Sequence, residues 1–290
     1  MQIKKVLVIG ANGQLGWELT QLAALYPGFD FVFADRQIVN LSQPEHFEKI
    51  IKSIAPDCII NTAAYTAVDK AEVEKELAYT VNAIAVGELA RVSKQLAIPF
   101  ITFSTDYVFS GNATSPYLPD TLVQPVNYYG ETKAVGEQLA LAANEVTIII
   151  RTSWVFSSHG NNFLKTMLRL MQEKESLNIV GDQKGRPTYA RDLALATIKI
   201  LECLNAGKEI RGIYHYANNG ETTWFGFAEQ IKKMAGLNCI LTSVTTDKFP
   251  TPAKRPAYSV LDTQKIETEL SIQIPKWEDA LLECYHKLKA

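Results

Sequence analysis

Through the first half of the chain, short apolar runs alternate with longer stretches whose apolar residues recur at helical spacing. "KKVLVIG", "FDFVFAD", "PDCIINTAA", "PFITFST" and "VTIIIRTSW" read as strands. Between them, "QLGWELTQLAAL", "QPEHFEKIIKSI", "KELAYTVNAIAVGELARVSKQL" and "TKAVGEQLALAA" read as helices. The strands "VLVIG", "DCIIN" and "VTIII" are nearly continuous apolar runs, as strands covered on both faces must be. Strand, helix, strand, helix in this order predicts an α/β domain with a doubly wound parallel sheet over residues 1–155. Ligands of such sheets sit beyond the carboxyl ends of the strands.

After "RTSWVF" the texture changes. "SSHGNN", "VGDQKGRPTYARD", "NNGETTW" and the proline-rich "FPTPAKRPAYS" cut the chain into shorter pieces. Residues 156–290 are expected to form a smaller, loop-rich C-terminal substrate lobe. "GIYHYANNG", near 212–220, reads as a strand returning to the first sheet, which would make that lobe discontinuous.

The 290 residues are 47% hydrophobic, enough for one sizeable core with an appended lobe. Lys and Arg (29) nearly balance Asp and Glu (31), so no charged face of the kind that holds nucleic acid is expected. The apolar run after the first lysines is too short for a signal peptide and no stretch reaches membrane-spanning length, so the expected location is the cytoplasm. Cys58, Cys203, Cys239 and Cys284 lie far apart without a Cys-x-x-Cys pair, as do the four histidines without metal-helix spacing, and read as free thiols and unassigned imidazoles.

"VLVIGANGQLG" places Gly10, Gly13 and Gly16 directly after a strand and at the head of a helix, with Gln14 and Leu15 between the last two. That order suits a tight turn, close backbone approach to a pyrophosphate and close helix packing, the fingerprint of a Rossmann-type dinucleotide site. The second strand ends in Asp35, about 20 residues on, where a carboxylate meets ribose hydroxyls of NAD. Arg36 follows, and a guanidinium there suits the 2′-phosphate of NADP, so use of both NADH and NADPH is expected. A turn-opening Asp35 beside a solvated Arg36 is the plainer alternative.

In "YYGETKAVGE", four-residue spacing stacks Tyr129 over Lys133 on one helix face, and Tyr128 points elsewhere. An ammonium near a phenol favours the phenolate and would draw the tyrosine pKa down toward working range. "FITFSTDYVF" brings Ser104 and Thr105 to the carboxyl edge of the sheet, where a hydroxyl can stabilise charge developing on a carbonyl oxygen.

"GANGQLG", "STDYVF" and "YGETK" together resemble the extended short-chain dehydrogenase/reductase superfamily. Within it, "INTAAYTAVDKAE", "VNAIAVGELA", "STDYVF", "YYGETKAVGE", "RTSWVF", "GDQKGRPT" and "RPAYSVLD" resemble, nearly end to end and in order, the dTDP-4-dehydrorhamnose reductase family. The resemblance implies reduction of the C4 ketone of a nucleotide-linked sugar by NAD(P)H. It implies a reacting triad of Thr105, Tyr129 and Lys133, a cofactor lining from Ala64, Tyr65 and Thr66, and Asn40 and Leu41 near the adenine. Asp106 and Trp154 would touch the sugar. Asn40 departs from the family's frequent Asp.

Two copies are expected to pair. Magnesium-bridged pairing, which the resemblance raises for some members, finds an acid in Glu18 but Arg191 where another would help, so no residue is assigned to a metal. Dehydratase relatives carry Thr-Asp-Glu where this chain has Thr105-Asp106-Tyr107, which removes the carboxylate base that elimination needs. An epimerase or a reductase of another nucleotide ketosugar, and a non-catalytic dinucleotide-binding subunit, stay open. Trp154 also suits a packing role. Arg255 fits either a diphosphate or a surface salt bridge, Gly185-Arg186-Pro187 fits a substrate loop or a turn, and "KAEVEKE" reads as a solvated helix start with intrahelical charge pairs.

Overall fold

The structure, a computed structural model, describes residues 2–289. Six parallel strands form one sheet: β1 Lys5–Ile9, β2 Asp30–Ala34, β3 Cys58–Asn61, β4 Phe100–Thr105, β5 Ile148–Thr152 and β6 Gly212–His215. Their order across the sheet is β6-β5-β4-β3-β1-β2. The strand order reverses at β1, which opens a crevice at its carboxyl end. Alternate residues of β1 explain its continuous apolar run: Val6 and Val8 pack on one side with Leu15, Leu19 and Leu22 of helix α1 (Gln14–Ala23), while Leu7 and Ile9 pack on the other. There they meet Phe47 and Ile51 of α2 (Phe47–Ile54) and Val86 and Leu89 of α3 (Ala85–Leu96).

The helix expected over "KELAYTVNAIAVGELARVSKQL" forms without a break from Lys75 to Leu96, α3 being its last three turns, and what the pattern did not show is a π stretch inside it and a further helical turn before it. Short helical turns at Val68–Ala71 and Lys75–Tyr79 are separated at residues 72–74, and a wide π turn at Thr80–Ile84 leads into α3. The acids of "KAEVEKE" are not spent on intrahelical pairs. Glu72 accepts the Tyr128 N–H, 56 residues away, and Glu74 accepts the hydroxyl of Tyr65, nine residues back.

Helix α4 (Tyr128–Ala143) begins at Asn127, whose side chain accepts the Gly130 N–H. Beyond β5 the chain is more helical than its polar turns suggested. It forms α5 (Phe163–Glu173), α6 (Ala190–Asn205), α7 (Trp224–Ala235), α8 (Gln264–Leu270) and α9 (Trp277–Lys289). α5, α7 and α9 enclose a separate core around Phe156, Tyr189, Phe227 and Leu281. α6 instead covers the main sheet, and β6 pairs with β5 at its edge. All four cysteines are buried and free, and no described helix is long and apolar enough to cross a membrane.

One ion pair lies inside this framework. Arg151 on β5 is 2% exposed and Glu137 on α4 is 5% exposed. The guanidinium donates to both carboxylate oxygens, at 2.9 and 2.7 Å, and to the Pro119 carbonyl at 3.0 Å. His215 of β6 completes the group, with Nε2 3.4 Å from Arg151 and Nδ1 3.1 Å from the Tyr117 carbonyl. Burial and the neighbouring guanidinium push the His215 pKa down to about 3, so the ring is neutral.

Removing one partner of a buried pair strands the other charge, at a cost of about 3–5 kcal/mol. Arg151→Met is therefore expected to lower the unfolding free energy by about that amount in urea titrations. The double variant Arg151→Met/Glu137→Leu should recover most of the loss, and an unchanged midpoint for the single variant would contradict this account of the pair.

Candidate active site

The turn after β1 is shaped by contacts that leave no room for side chains. Gly10 has φ +90°, and a Cβ there would lie 2.7 Å from the Ala63 amide nitrogen. At Gly16 a Cβ would lie 2.2 Å from the Gly10 carbonyl oxygen, so α1 could not approach the strand. Gly13 precedes α1, whose N-terminus has no side-chain cap and no acidic residue in its first turn. Its free amide groups and positive dipole end are a site for an anion. Leu15 packs into the core beneath, and the Gln14 side chain accepts from Asn162.

Two cavities share Gly10, Asn12, Gly13, Ala63 and Ala64 and continue one another along the carboxyl edge of the sheet. The first is lined by Asp35, Arg36, Val39, Asn40, Leu41 and Tyr65. Asp35 also opens a turn, its Oδ1 accepting the Gln37 and Ile38 N–H groups, so the turn reading and the ribose reading are compatible. Arg36 is exposed at the rim. Asn40 orients Ser42 by accepting both its N–H and its hydroxyl. A dinucleotide fits this donor set.

The second cavity is lined by Thr66, Ser104, Tyr129, Lys133 and Thr152, among others. Ser104 Oγ is buried there with no protein partner. The segment Ala64-Tyr65-Thr66 is held by a residue the sequence reading did not single out, Asn82. Its side chain accepts the Tyr65 N–H at 2.9 Å and donates to the Tyr65 carbonyl and to Thr132 on α4. The asparagine stands in the quoted "VNAIAVGELA", yet nothing local marks it, because its partners are 17 and 50 residues away.

Tyr129 and Lys133 stand one turn apart on α4, both buried. Lys133 Nζ donates to the Phe103 carbonyl at 2.7 Å. The expected lowering of the tyrosine pKa by the lysine is not found. Burial pushes the Tyr129 phenol well above its ordinary value, the Asp106 carboxylate adds to that, and only a hydrogen bond with Thr105 opposes it. Burial also brings Lys133 down to about 8, with Glu137 opposing. The pair is thus a protonated phenol beside an ammonium whose charge is easily lost.

Thr105 donates to Asp106 Oδ1 at 3.0 Å and accepts the Tyr107 N–H at 3.2 Å. The Asp106 carboxyl is pushed up to about 6 by burial, with hydrogen bonds from Ser259 and Thr105 opposing. Tyr107 meets the edge of Tyr129, with ring centroids 5.8 Å apart.

Trp154 has φ +48°, a strained conformation for a tryptophan. Its ring stacks on Trp224 at 3.6 Å and covers Gly185, where a Cβ would lie 2.6 Å from the indole. Packing accounts for two sides of that indole, and it stays half-buried. Trp224 carried no signal in the sequence beyond being aromatic. Arg255 donates to Asp69 at 2.9 Å and sits 5.9 Å from the Tyr107 ring centre, while its buried Nη1 has no protein partner. The salt bridge expected as the plain alternative is thus present, beside a free donor. Arg186 donates to the Leu261 carbonyl and belongs to the loop beneath Trp154.

The two positions weighed for magnesium, Glu18 and Arg191, both have protein partners. Glu18 is bonded to Ser157 and Arg191 pairs with Glu283 at 3.4 Å. Among the described residues no three His, Cys, Asp or Glu converge.

Comparison with known proteins places this arrangement. Residues 4–290 match the family model described as the RmlD substrate binding domain. The chain is 40% identical to a dTDP-4-dehydrorhamnose reductase of Burkholderia thailandensis over 98% of this chain and 99% of that protein. It is 40% identical to the Escherichia coli K12 protein of the same name over 94% of each. A Bacillus anthracis dTDP-4-dehydrorhamnose reductase solved in complex with NADP superposes with a TM-score of 0.93 at 34% identity, covering 99% of this chain and all of that one.

The Lys133 shift sets a pH dependence. The ammonium is present below about pH 8 and is lost above it. If it is the working form, kcat/KM is expected to be level toward neutral pH and to fall by up to about tenfold per unit above pH 8. A profile that stayed flat to beyond pH 10, the range of an ordinary lysine, would contradict the buried-ammonium assignment.

Proposed function

The chain belongs to the RmlD substrate binding domain family, and we propose that it reduces the C4 ketone of dTDP-4-dehydro-L-rhamnose to dTDP-L-rhamnose, the final step in making that nucleotide sugar. It is an oxidoreductase that uses NADPH. Full-length relatives carrying that name and the close superposition with an NADP complex support the reaction and the cofactor.

The observation that carries the reading is the convergence of the glycine turn, Tyr129 and Lys133 on one cavity. Tyr129 is a phenol, protonated at neutral pH, and so a proton donor for a ketone accepting hydride. When bound, NADPH supplies the hydride to the sugar C4. Tyr129 gives its proton to the oxygen as charge develops, and Thr105 hydrogen-bonds the same oxygen. Lys133, anchored on the Phe103 carbonyl, would bind the nicotinamide ribose and keep positive charge beside the reacting centre. Asp106 and the half-buried face of Trp154 would meet the sugar, and the Nη1 of Arg255, which has no protein partner, would donate to a diphosphate oxygen.

Asp35 and Arg36 serve the two nicotinamide cofactors differently. The carboxylate accepts from ribose hydroxyls and the guanidinium pairs with a 2′-phosphate, so NADH is used as well as NADPH.

Two measurements test this reading. With the ketosugar generated in situ and turnover followed by loss of nicotinamide absorbance, Tyr129→Phe is expected to lose at least about 100-fold in kcat. Near-normal turnover by that variant, or none by the unaltered enzyme on this ketosugar, would defeat the assignment. Arg36→Ala should raise KM for NADPH roughly tenfold and leave KM for NADH within about twofold, the loss of one charge-assisted contact. Equal effects on both cofactors would remove Arg36 from the 2′-phosphate.

A further inference from the structure

The segment Ser157–Asn162 leaves the second lobe and lies across the first turns of α1, beside the glycine turn. Ser157 and Glu18 are both fully buried. The Ser157 hydroxyl donates to Glu18 Oε1 at 2.7 Å and accepts the His159 N–H at 3.0 Å. The His159 ring stacks on Trp17 with centroids 5.0 Å apart and planes within 5°. Its Nε2 lies 3.0 Å from the carbonyl oxygen of Asn12, a residue of the glycine turn. Asn162 closes the segment, donating to Gln14 Oε1 at 2.9 Å and to the Ser157 carbonyl at 2.7 Å. Between these anchors, Gly160 and Asn161 line the cavity that also holds Tyr129 and Lys133.

This arrangement is costly. Burial pushes the Glu18 carboxyl above its ordinary value, and its Oε2 has no protein partner. An apolar residue would pack the same face of α1 without that cost. What the carboxylate supplies is an acceptor that fixes the Ser157 hydroxyl, which in turn leaves its oxygen free for the His159 N–H. The bonds run from α1 through Ser157 and His159 to the Asn12 carbonyl, and so return to the turn from which α1 begins.

We propose that Ser157–Asn162 is a strap that retains the bound dinucleotide, and that Glu18, Ser157 and His159 are positioning residues that latch it to the pyrophosphate turn. The inference rests on the dinucleotide reading above. A dinucleotide seated on the glycine turn leaves when the strap lifts, so its rate of release is set by the latch.

The test is the release rate of NADPH, measured by stopped-flow displacement from the full-length enzyme, beside KM and kcat. Ser157→Ala and His159→Ala are each expected to speed release roughly fivefold, the value of one net hydrogen bond, with the effect falling on KM for NADPH rather than on kcat. Glu18→Gln, which keeps an acceptor for Ser157, should release NADPH near the unaltered rate, and Glu18→Ala should not. Unchanged release in both Ser157→Ala and His159→Ala would overturn the strap while leaving the reductase intact. Failure of the unaltered enzyme to bind NADPH would instead sink the dinucleotide reading itself.

Discussion

The chemistry of this site depends on the rotation of α4 about its own axis, and a buried ion pair fixes that rotation. Glu137 meets Arg151 through two parallel hydrogen bonds, a geometry that tolerates little turning of either side chain. Lys133 and Tyr129 lie about one and two turns earlier on the helix, so the same constraint aims them at the carboxyl edge of the sheet. Two close approaches reinforce it. A Cβ at Gly130 would lie 2.1 Å from the Tyr107 carbonyl oxygen, and one at Gly136 would lie 2.1 Å from that of Asn82. The helix is seated directly on backbone from the β4 edge on one side and from the turn before α3 on the other. A pair that does little for net stability in an interior is retained here for geometry.

Features with a local cause were legible in the sequence. The glycine turn follows from steric demands over seven residues, and the stacking of Tyr129 over Lys133 follows from four-residue spacing. The parallel sheet follows from runs such as "VLVIG", in which Val6 and Val8 face one helix layer and Leu7 and Ile9 the other. What stayed hidden was built from long-range contacts. Asn82 clamps the cofactor-lining turn across 17 residues, Asp69 pairs with Arg255 across 186, and Ser157 reaches Glu18 across 139. The helices of the second lobe were hidden for another reason: each is bounded by polar turns, and the turns dominated the pattern.

The sequence also gave the wrong electrostatic sign at Tyr129. Helical spacing places an ammonium near a phenol, and in water that would favour the phenolate. Spacing carries no information about dielectric, and here both groups are buried. Desolvation penalises the charged form of each, raising the tyrosine and lowering the lysine. The competition between a neighbouring charge and burial is decided by the surrounding core, which around Tyr129 is contributed by Tyr65, Val68, Ala71, Ala78 and Tyr107.

The substrate side is tied to the same helix. Asn127 caps α4 through its Oδ1 and, with Nδ2, donates to the Lys254 carbonyl at 2.8 Å. One side chain therefore fixes both the start of the helix that carries Tyr129 and the loop that carries Arg255. Asp69, just after the cofactor-lining turn, holds the same loop through the Ala253 N–H and the Arg255 guanidinium. Displacing this loop breaks the Asn127 and Asp69 contacts together, so Arg255 is referred to the start of the helix that carries Tyr129 rather than to the second lobe's own core. That coupling holds the Arg255 loop against the sheet edge in one register.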